Sequence, residues 1–168
     1  QGELAAARGQ NQELSARVDD LSTSKTRLES AKAELEKKSS EYEKMASALR
    51  GQIDAGRVEL TELRGKMTVK MKDKILFSSG SATIGKEGFD ALRFVAEALR
   101  NVQGKVMRVE GHTDNVPIHT DRYRSNWELS TARATNVVAF LVGAGVPPGR
   151  LSAAGYGEFH ARGPNDSD

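Results

Sequence analysis

The chain has 168 residues, with 25 Lys and Arg against 23 Asp and Glu, 5% aromatic residues and no cysteine. That length allows one ordinary domain plus an extension. The balanced charge excludes a general pull toward nucleic acid or acidic membranes, and the lack of cysteine excludes disulfides and thiolate metal sites. No stretch approaches the roughly 20 apolar residues of a membrane helix, and no signal-peptide pattern is present. Because the chain starts at Gln1, it reads as a fragment whose membrane anchor or targeting segment lies upstream.

Residues 1–66 contain no proline and are rich in Ala, Glu, Lys, Ser and Leu. Every seventh residue from Leu14 runs Leu14, Leu21, Leu28, Leu35, Tyr42, Leu49, Gly56, Leu63, apolar except at Gly56. The companion row from Val18 is polar in its middle, at Lys25, Lys32 and Ser39, and apolar toward its ends. An apolar repeat of seven held this long predicts a coiled-coil spacer over 1–66, paired as a parallel homodimer. Lys38 to Glu43 and Glu59 to Arg64 have the spacing for attraction between parallel strands. About 50 helical residues would span on the order of 75 Å. The plainer reading is a single solvated helix or linker, since the polar row weakens the seam and Gly51 and Gly56 each cost about 1 kcal/mol in a helix.

From Met67 the period changes, and 67–168 form the second expected domain. Val69, Met71, Ile75 and Phe77 alternate with Lys70, Lys72 and Lys74, a strand pattern that Asp73 interrupts. Ser78-Ser79-Gly80-Ser81 is a turn. Residues 84–101 read as a helix with Phe89, Leu92, Val95, Ala96 and Leu99 on one face. Residues 105–113 read as a second strand, followed by a polar loop over 115–125. A second helix is expected over 126–142, stopped by Gly143 and Gly145. Residues 151–156 form a short third strand. The order β-α-β-α-β implies a small sandwich with helices on one side of a sheet, so the chain as a whole is α+β behind a long helix.

Three clusters carry candidate chemistry. Gly111-His112-Thr113-Asp114 ends the second strand, where ligands of open α/β sheets usually bind. There Asp114 either meets a ligand cation or caps its own loop through an Asx turn. In Asn126-Trp127-Glu128-Leu129-Ser130-Thr131-Ala132-Arg133-Ala134, helical spacing puts Asn126, Leu129, Ser130 and Arg133 on one face. An arginine on a face that meets the core needs an anion, which is either a ligand carboxylate or a carboxylate of the protein. Glycines on both sides of Tyr156, in Gly155-Tyr156-Gly157-Glu158, point to tight backbone packing. Together Asp114 and Arg133 offer opposite charges on neighbouring elements, as a ligand with ammonium and carboxylate on one carbon requires.

Residues 76–82, 111–118, 126–134 and 143–158 are similar, in order and spacing, to the C-terminal domain of the OmpA-like family, which includes the peptidoglycan-associated lipoprotein and MotB. The loop after Asp114 and the Asn-Trp-Glu-Leu-Ser run resemble the MotB type. The resemblance implies a periplasmic domain that binds peptidoglycan without cleaving it, tethering a membrane-anchored protein to the wall. It implies that Asp114 holds the ammonium of meso-diaminopimelate in the stem peptide and Arg133 its carboxylate. Asn126 would be a supporting polar residue, Leu129 a pocket wall, and Thr113 with Ser79 and Gly80 would line the groove. Family members usually continue with Gly-Arg and Asn-Arg-Arg. This chain ends at Asn165-Asp166-Ser167-Asp168, so a final strand and a basic residue are expected to be absent and a sheet edge exposed.

Other functions find weaker support. There is no nucleophile elbow, no phosphate loop and no recognisable catalytic carboxylate pair, so no enzyme and no cofactor is expected. His112 and Asp114, with His119 nearby, give only a weak zinc signal. Within the resemblance, a flagellar-stator fragment is the alternative to a general envelope tether. A purely structural oligomerisation module is the alternative to both.

Overall fold

The computed structural model describes residues 2–63, 65–102 and 104–159, with Glu3 and Ala5 described for their backbone alone. In chain order the elements are α1 (Gly2–Asp54), β1 (Val58–Leu63), β2 (Lys66–Met71), α2 (Asp73–Leu76), α3 (Lys86–Arg100), β3 (Met107–Gly111), α4 (Asn126–Gly143) and β4 (Leu151–Gly155). The chain divides into two units, Gln1–Glu43 and Lys44–Asp168.

The first unit is helix. Leu14, Leu21, Leu28 and Leu35 are 57% to 71% exposed, so nothing among the described residues covers this part of the apolar row. Its charges instead form i,i+4 ion pairs, Glu13–Arg17 and Glu34–Lys38 at 2.7 Å, and Lys25–Glu29 and Lys32–Glu36 at 3.8 and 3.7 Å. Each supports the helix by a few tenths of a kcal/mol. Lys38 thus already has an acidic partner in its own helix.

The second unit takes the row's Leu49, with Met45 beside it, into its own core. Met45 and Leu49 are buried and pack with Val58, Val95 and Ala98. The helix ends at Asp54 in a Schellman motif: Arg57 N–H donates to Gln52 O at 3.0 Å and Gly56 N–H to Ile53 O at 2.9 Å, with Gly56 at φ 66°. The helical reading through residue 66 is therefore corrected. Leu60 and Leu63 lie in β1, which pairs antiparallel with β2 from Val58↔Met71 to Leu63↔Lys66. Glu59 faces Lys70 across this hairpin at 3.4 Å instead of serving a coiled coil, and Arg64 lies outside the described residues.

The strand expected to run on to Phe77 is also corrected. β2 stops at Met71 and the chain turns into α2, closed by Phe77 N–H to Asp73 O at 2.8 Å. Leu76 and Phe77 then enter the main core with Ile84, Leu92, Ala96, Val137, Leu141 and Val146. In α3, Leu92, Val95 and Ala96 are buried as their spacing predicts. Phe89 is the exception on that face: it stays 45% exposed and meets Phe140 edge-on at 5.3 Å.

β3 and β4 pair in parallel, Met107↔Leu151 to Gly111↔Gly155, joined through α4. Among the described residues there are thus two two-stranded sheets, not one three-stranded sheet. The α+β class stands: a long N-terminal helix precedes a small domain of sheet and helix. The ending at Asn165–Asp168, with the final strand expected to be absent, lies outside the described residues.

Candidate functional site

Helix α4 carries the site. Ser125 caps it by accepting Glu128 N–H at 3.3 Å, while the Glu128 carboxylate reaches back to Arg124 N–H at 2.7 Å. This near capping box fixes the first turn and so the direction of every side chain after it. Asn126, Leu129, Ser130 and Arg133 are all buried on one face, as their spacing predicts.

That face is approached closely by two strands. A Cβ on Gly111 would collide with Ser130 O, and one on Gly155 with Thr131 Oγ1, so both strand ends press on the α4 backbone. The contact explains the glycines. Ser130, fully buried, accepts Gly157 N–H at 3.0 Å and donates to Trp127 O at 3.1 Å. Thr113 N–H donates to Gly157 O at 2.9 Å, which ties the end of β3 to the turn after β4.

Arg133 is 4% exposed, and two of its guanidinium nitrogens hold neighbouring backbone. Its Nε donates to Ser81 O at 2.8 Å and an Nη to Ser78 O at 3.3 Å, so the guanidinium clasps the turn that carries Ser79 and Gly80. The group lies over the Phe77 ring at 4.9 Å. Its other Nη forms an ion pair with Asp73 at 2.9 Å. Arg133 thus has the protein carboxylate that its burial demands. Burial raises the Asp73 carboxyl above the ordinary aspartate value; Arg133 pulls it down, and the like charge of Asp114 pushes it up. Asp73 is half exposed, so it sits at the rim of the site and not in its floor.

Asp114 is exposed and accepts Val116 N–H at 3.3 Å, the Asx turn that was the alternative to a ligand contact. Asn126 secures this loop from below, donating to Val116 O at 3.0 Å, Asp114 O at 3.4 Å and the Glu158 carboxylate at 2.8 Å. Leu129 packs with Ala82 and Tyr123, with Ile118 against them, beneath both the loop and the turn. The Thr113 hydroxyl is buried without a hydrogen-bond partner among the described residues.

Of the seven sequence-nominated residues, Asn126, Leu129 and Arg133 thus lie on the first half of α4, Arg133 clasps the turn that holds Ser79 and Gly80, and Asn126 holds the loop that starts at Asp114, next to Thr113. Asp114 and Arg133 are not an ion pair; Asp73 pairs with the arginine and feels the aspartate. Sequence reasoning missed Asp73 as Arg133's partner, although its break in the alternation expected to run on to Phe77 was a signal. It also missed the hold of Glu158 on Asn126. His112 stacks on Tyr156 at 5.3 Å, with Nε2 3.9 Å from Glu110. Among the described residues no cluster of three metal-ligating side chains forms.

Residues 76–168, more than half of the chain and every residue of this site except Asp73, match the OmpA family. The chain belongs to the OmpA family. Outer membrane protein A of Klebsiella pneumoniae is 37% identical over 88 residues, 52% of this chain and 25% of that protein. Motility protein B of Bacillus subtilis is 33% identical over 104 residues, 58% of this chain and 40% of that one. The chain therefore spans less than half the length of these curated relatives. Among solved structures, the cell wall anchor of the type VI secretion system of Pseudomonas aeruginosa superposes with a TM-score of 0.68 and 38% identity, covering 73% of this chain and 85% of that one. A MotB-like protein of Desulfovibrio vulgaris gives 0.73 at 27% identity, covering 79% and 83%. Of these relatives, the Pseudomonas aeruginosa protein is a cell wall anchor, a structural rather than an enzymatic role.

Proposed function

We propose that this chain anchors an envelope protein to the cell wall by binding peptidoglycan non-covalently. The ligand is the free zwitterionic centre of meso-diaminopimelate in a stem peptide: Asp114 takes the ammonium and Arg133 the carboxylate. One observation carries the reading. A buried arginine and an exposed aspartate lie around the N-terminal half of α4, each fixed by neighbouring backbone, in a chain of the OmpA family. A planar guanidinium matches a carboxylate in two parallel hydrogen bonds, and pre-fixing it lowers the entropy lost on binding.

The site works in the periplasm, and the wall is its partner. The resemblance to the type VI secretion cell wall anchor supports a static tether, while the MotB-like relatives support a stator fragment as the alternative. The helix over residues 2–43 is the spacer, pairing with a second copy through its exposed leucine row. Pairing makes wall binding bivalent, so avidity exceeds the affinity of one site.

Calorimetry of the whole chain against a diaminopimelate stem peptide tests this reading, with a lysine-type peptide as control. The wild type binds the first and discriminates against the second, and Asp114→Asn loses binding while staying folded. Failure of the wild type to bind either peptide or purified sacculi leaves a structural oligomerisation module as the better description.

A further inference from the structure

Arg133 reaches its surroundings through three nitrogens, and each has a partner: Ser81 O, Ser78 O and the Asp73 carboxylate. Two of those partners are backbone carbonyls of a turn that the rest of the domain holds in place. The third is a side chain, half exposed, on the short helix α2. Only this third contact can be given up without unfolding the turn. A ligand carboxylate that reaches Arg133 must therefore meet Asp73 first.

The charges decide which ligands succeed. Asp73 pairs with the Arg133 guanidinium at 2.9 Å, and Asp114 acts on Asp73 as a like charge. A ligand carrying only a carboxylate has two ways in. It displaces Asp73 and strands that charge beside Asp114, or it joins them as a third negative charge. Both are unfavourable at a partly desolvated rim. A ligand that brings an ammonium with its carboxylate changes the balance. The ammonium lies between Asp73 and Asp114 and relieves their repulsion, while the carboxylate takes the place that Asp73 leaves on Arg133.

We infer that Asp73 is a specificity-determining residue of the site: it stands in for the ligand's carboxylate when the site is empty, and it excludes acids that lack an adjacent ammonium. This deepens the zwitterion site proposed above and rests on it. Discrimination comes from a repulsive element built against the wrong ligand as much as from contacts to the right one. Asp73 was legible in sequence only as a residue out of step with its strand, and its position next to Arg133 gives that irregularity a purpose.

Three stem peptides, identical except at the third residue, test the assignment on the whole chain by calorimetry. One carries diaminopimelate, one carries 2-aminopimelate (carboxylate without the ammonium), and one carries lysine (ammonium without the carboxylate). The wild type binds the first well and the acid-only peptide more weakly than the lysine peptide. In Asp73→Asn the acid-only peptide gains about tenfold or more, the order expected for removing one like charge at close range, and the gap to the diaminopimelate peptide narrows by that factor. Asp73→Ser, which removes the carboxylate with a smaller side chain, gives the same narrowing, and urea midpoints establish that both variants are folded. An unchanged ratio in folded variants overturns the role of Asp73 and leaves the site itself standing. Equal binding of acid-only and zwitterionic peptides by the wild type overturns it without any variant. No binding of the diaminopimelate peptide by wild type removes the site reading and this inference together.

Discussion

Asn126 Nδ2 donates to the Glu158 carboxylate at 2.8 Å, joining the first turn of α4 to the turn that follows β4, 32 positions away. The same amide reaches the carbonyls of Asp114 and Val116, so one buried side chain sets where the candidate ammonium-binding loop lies.

Removing it has two consequences. Asn126→Ala removes the donor shared by a carboxylate and two carbonyls and costs about 2 kcal/mol, the scale of a hydrogen bond to a charged group. Binding of the diaminopimelate peptide weakens as well, because Asp114 loses its foundation. Glu158→Gln keeps a hydrogen-bond acceptor and does less on both counts. Urea denaturation and calorimetry on the two variants measure this, and an Asn126→Ala protein with wild-type affinity would separate the loop from the site.

The glycines where strands meet α4 respond differently from those elsewhere. In Gly155→Ala the new Cβ enters space held by Thr131 and Ser130, and in Gly111→Ala it enters that of the Ser130 carbonyl. Backbone cannot give way as a side chain tip can, so each costs about 3 kcal/mol, the upper end of the usual overpacking range. Gly143→Ala, at the end of the same helix with nothing within 4 Å of its Cβ, is neutral or gains up to about 1 kcal/mol. Thermal unfolding of the three variants ranks them.

Much of this arrangement was legible because it is local. The α4 face follows from a 3.6-residue period over Asn126, Leu129, Ser130 and Arg133, and the glycines around Tyr156 announced a close approach. The β1–β2 hairpin was hidden because Leu60 and Leu63 continue the heptad rows, whereas the strand buries Val58 and partly Leu60 and leaves Leu63 exposed. Arg64-Gly65, between the strands, also carries none of the usual Asn-Gly or Asp-Gly turn chemistry. Tertiary packing, not period, decided those residues. Val58 enters a core with Val95 and Ala98, nearly forty positions on, and no local pattern encodes that. The Asp73–Arg133 pair was hidden for the same reason.

The titration of Asp73 has a definite sign. Its carboxyl is raised above the ordinary value, chiefly by burial, so the folded state holds the proton more tightly than the unfolded chain does. The resulting stability is present below about pH 3.9, the unfolded aspartate value, and is lost as pH rises through the higher folded value. Compared with Asp73→Asn, the wild type therefore gains stability on going from pH 7 to pH 4. Urea midpoints for both proteins across that range test the sign; a gain in the opposite direction would mean that the Arg133 pair outweighs burial.

The leucine row splits into two kinds of position, and substitution separates them. Leu21 and Leu28 are about 70% exposed, whereas Leu49, in the same heptad row, is fully buried against Val58, Val95 and Ala98. If the first unit pairs with a second copy, Leu21→Glu with Leu28→Glu turns the dimer into a monomer and leaves the unfolding midpoint of the α+β unit unchanged. Leu49→Ala does the reverse, keeping the dimer and costing about 2–5 kcal/mol, because it opens a cavity in a packed core. Sedimentation equilibrium reads the first effect and urea denaturation the second. The dissociated double variant also loses retention on sacculi without losing affinity for a single stem peptide, since only the second attachment is gone. A wild-type chain that sediments as a monomer at every concentration removes the paired spacer and leaves Leu14 to Leu35 as the exposed face of a solitary helix.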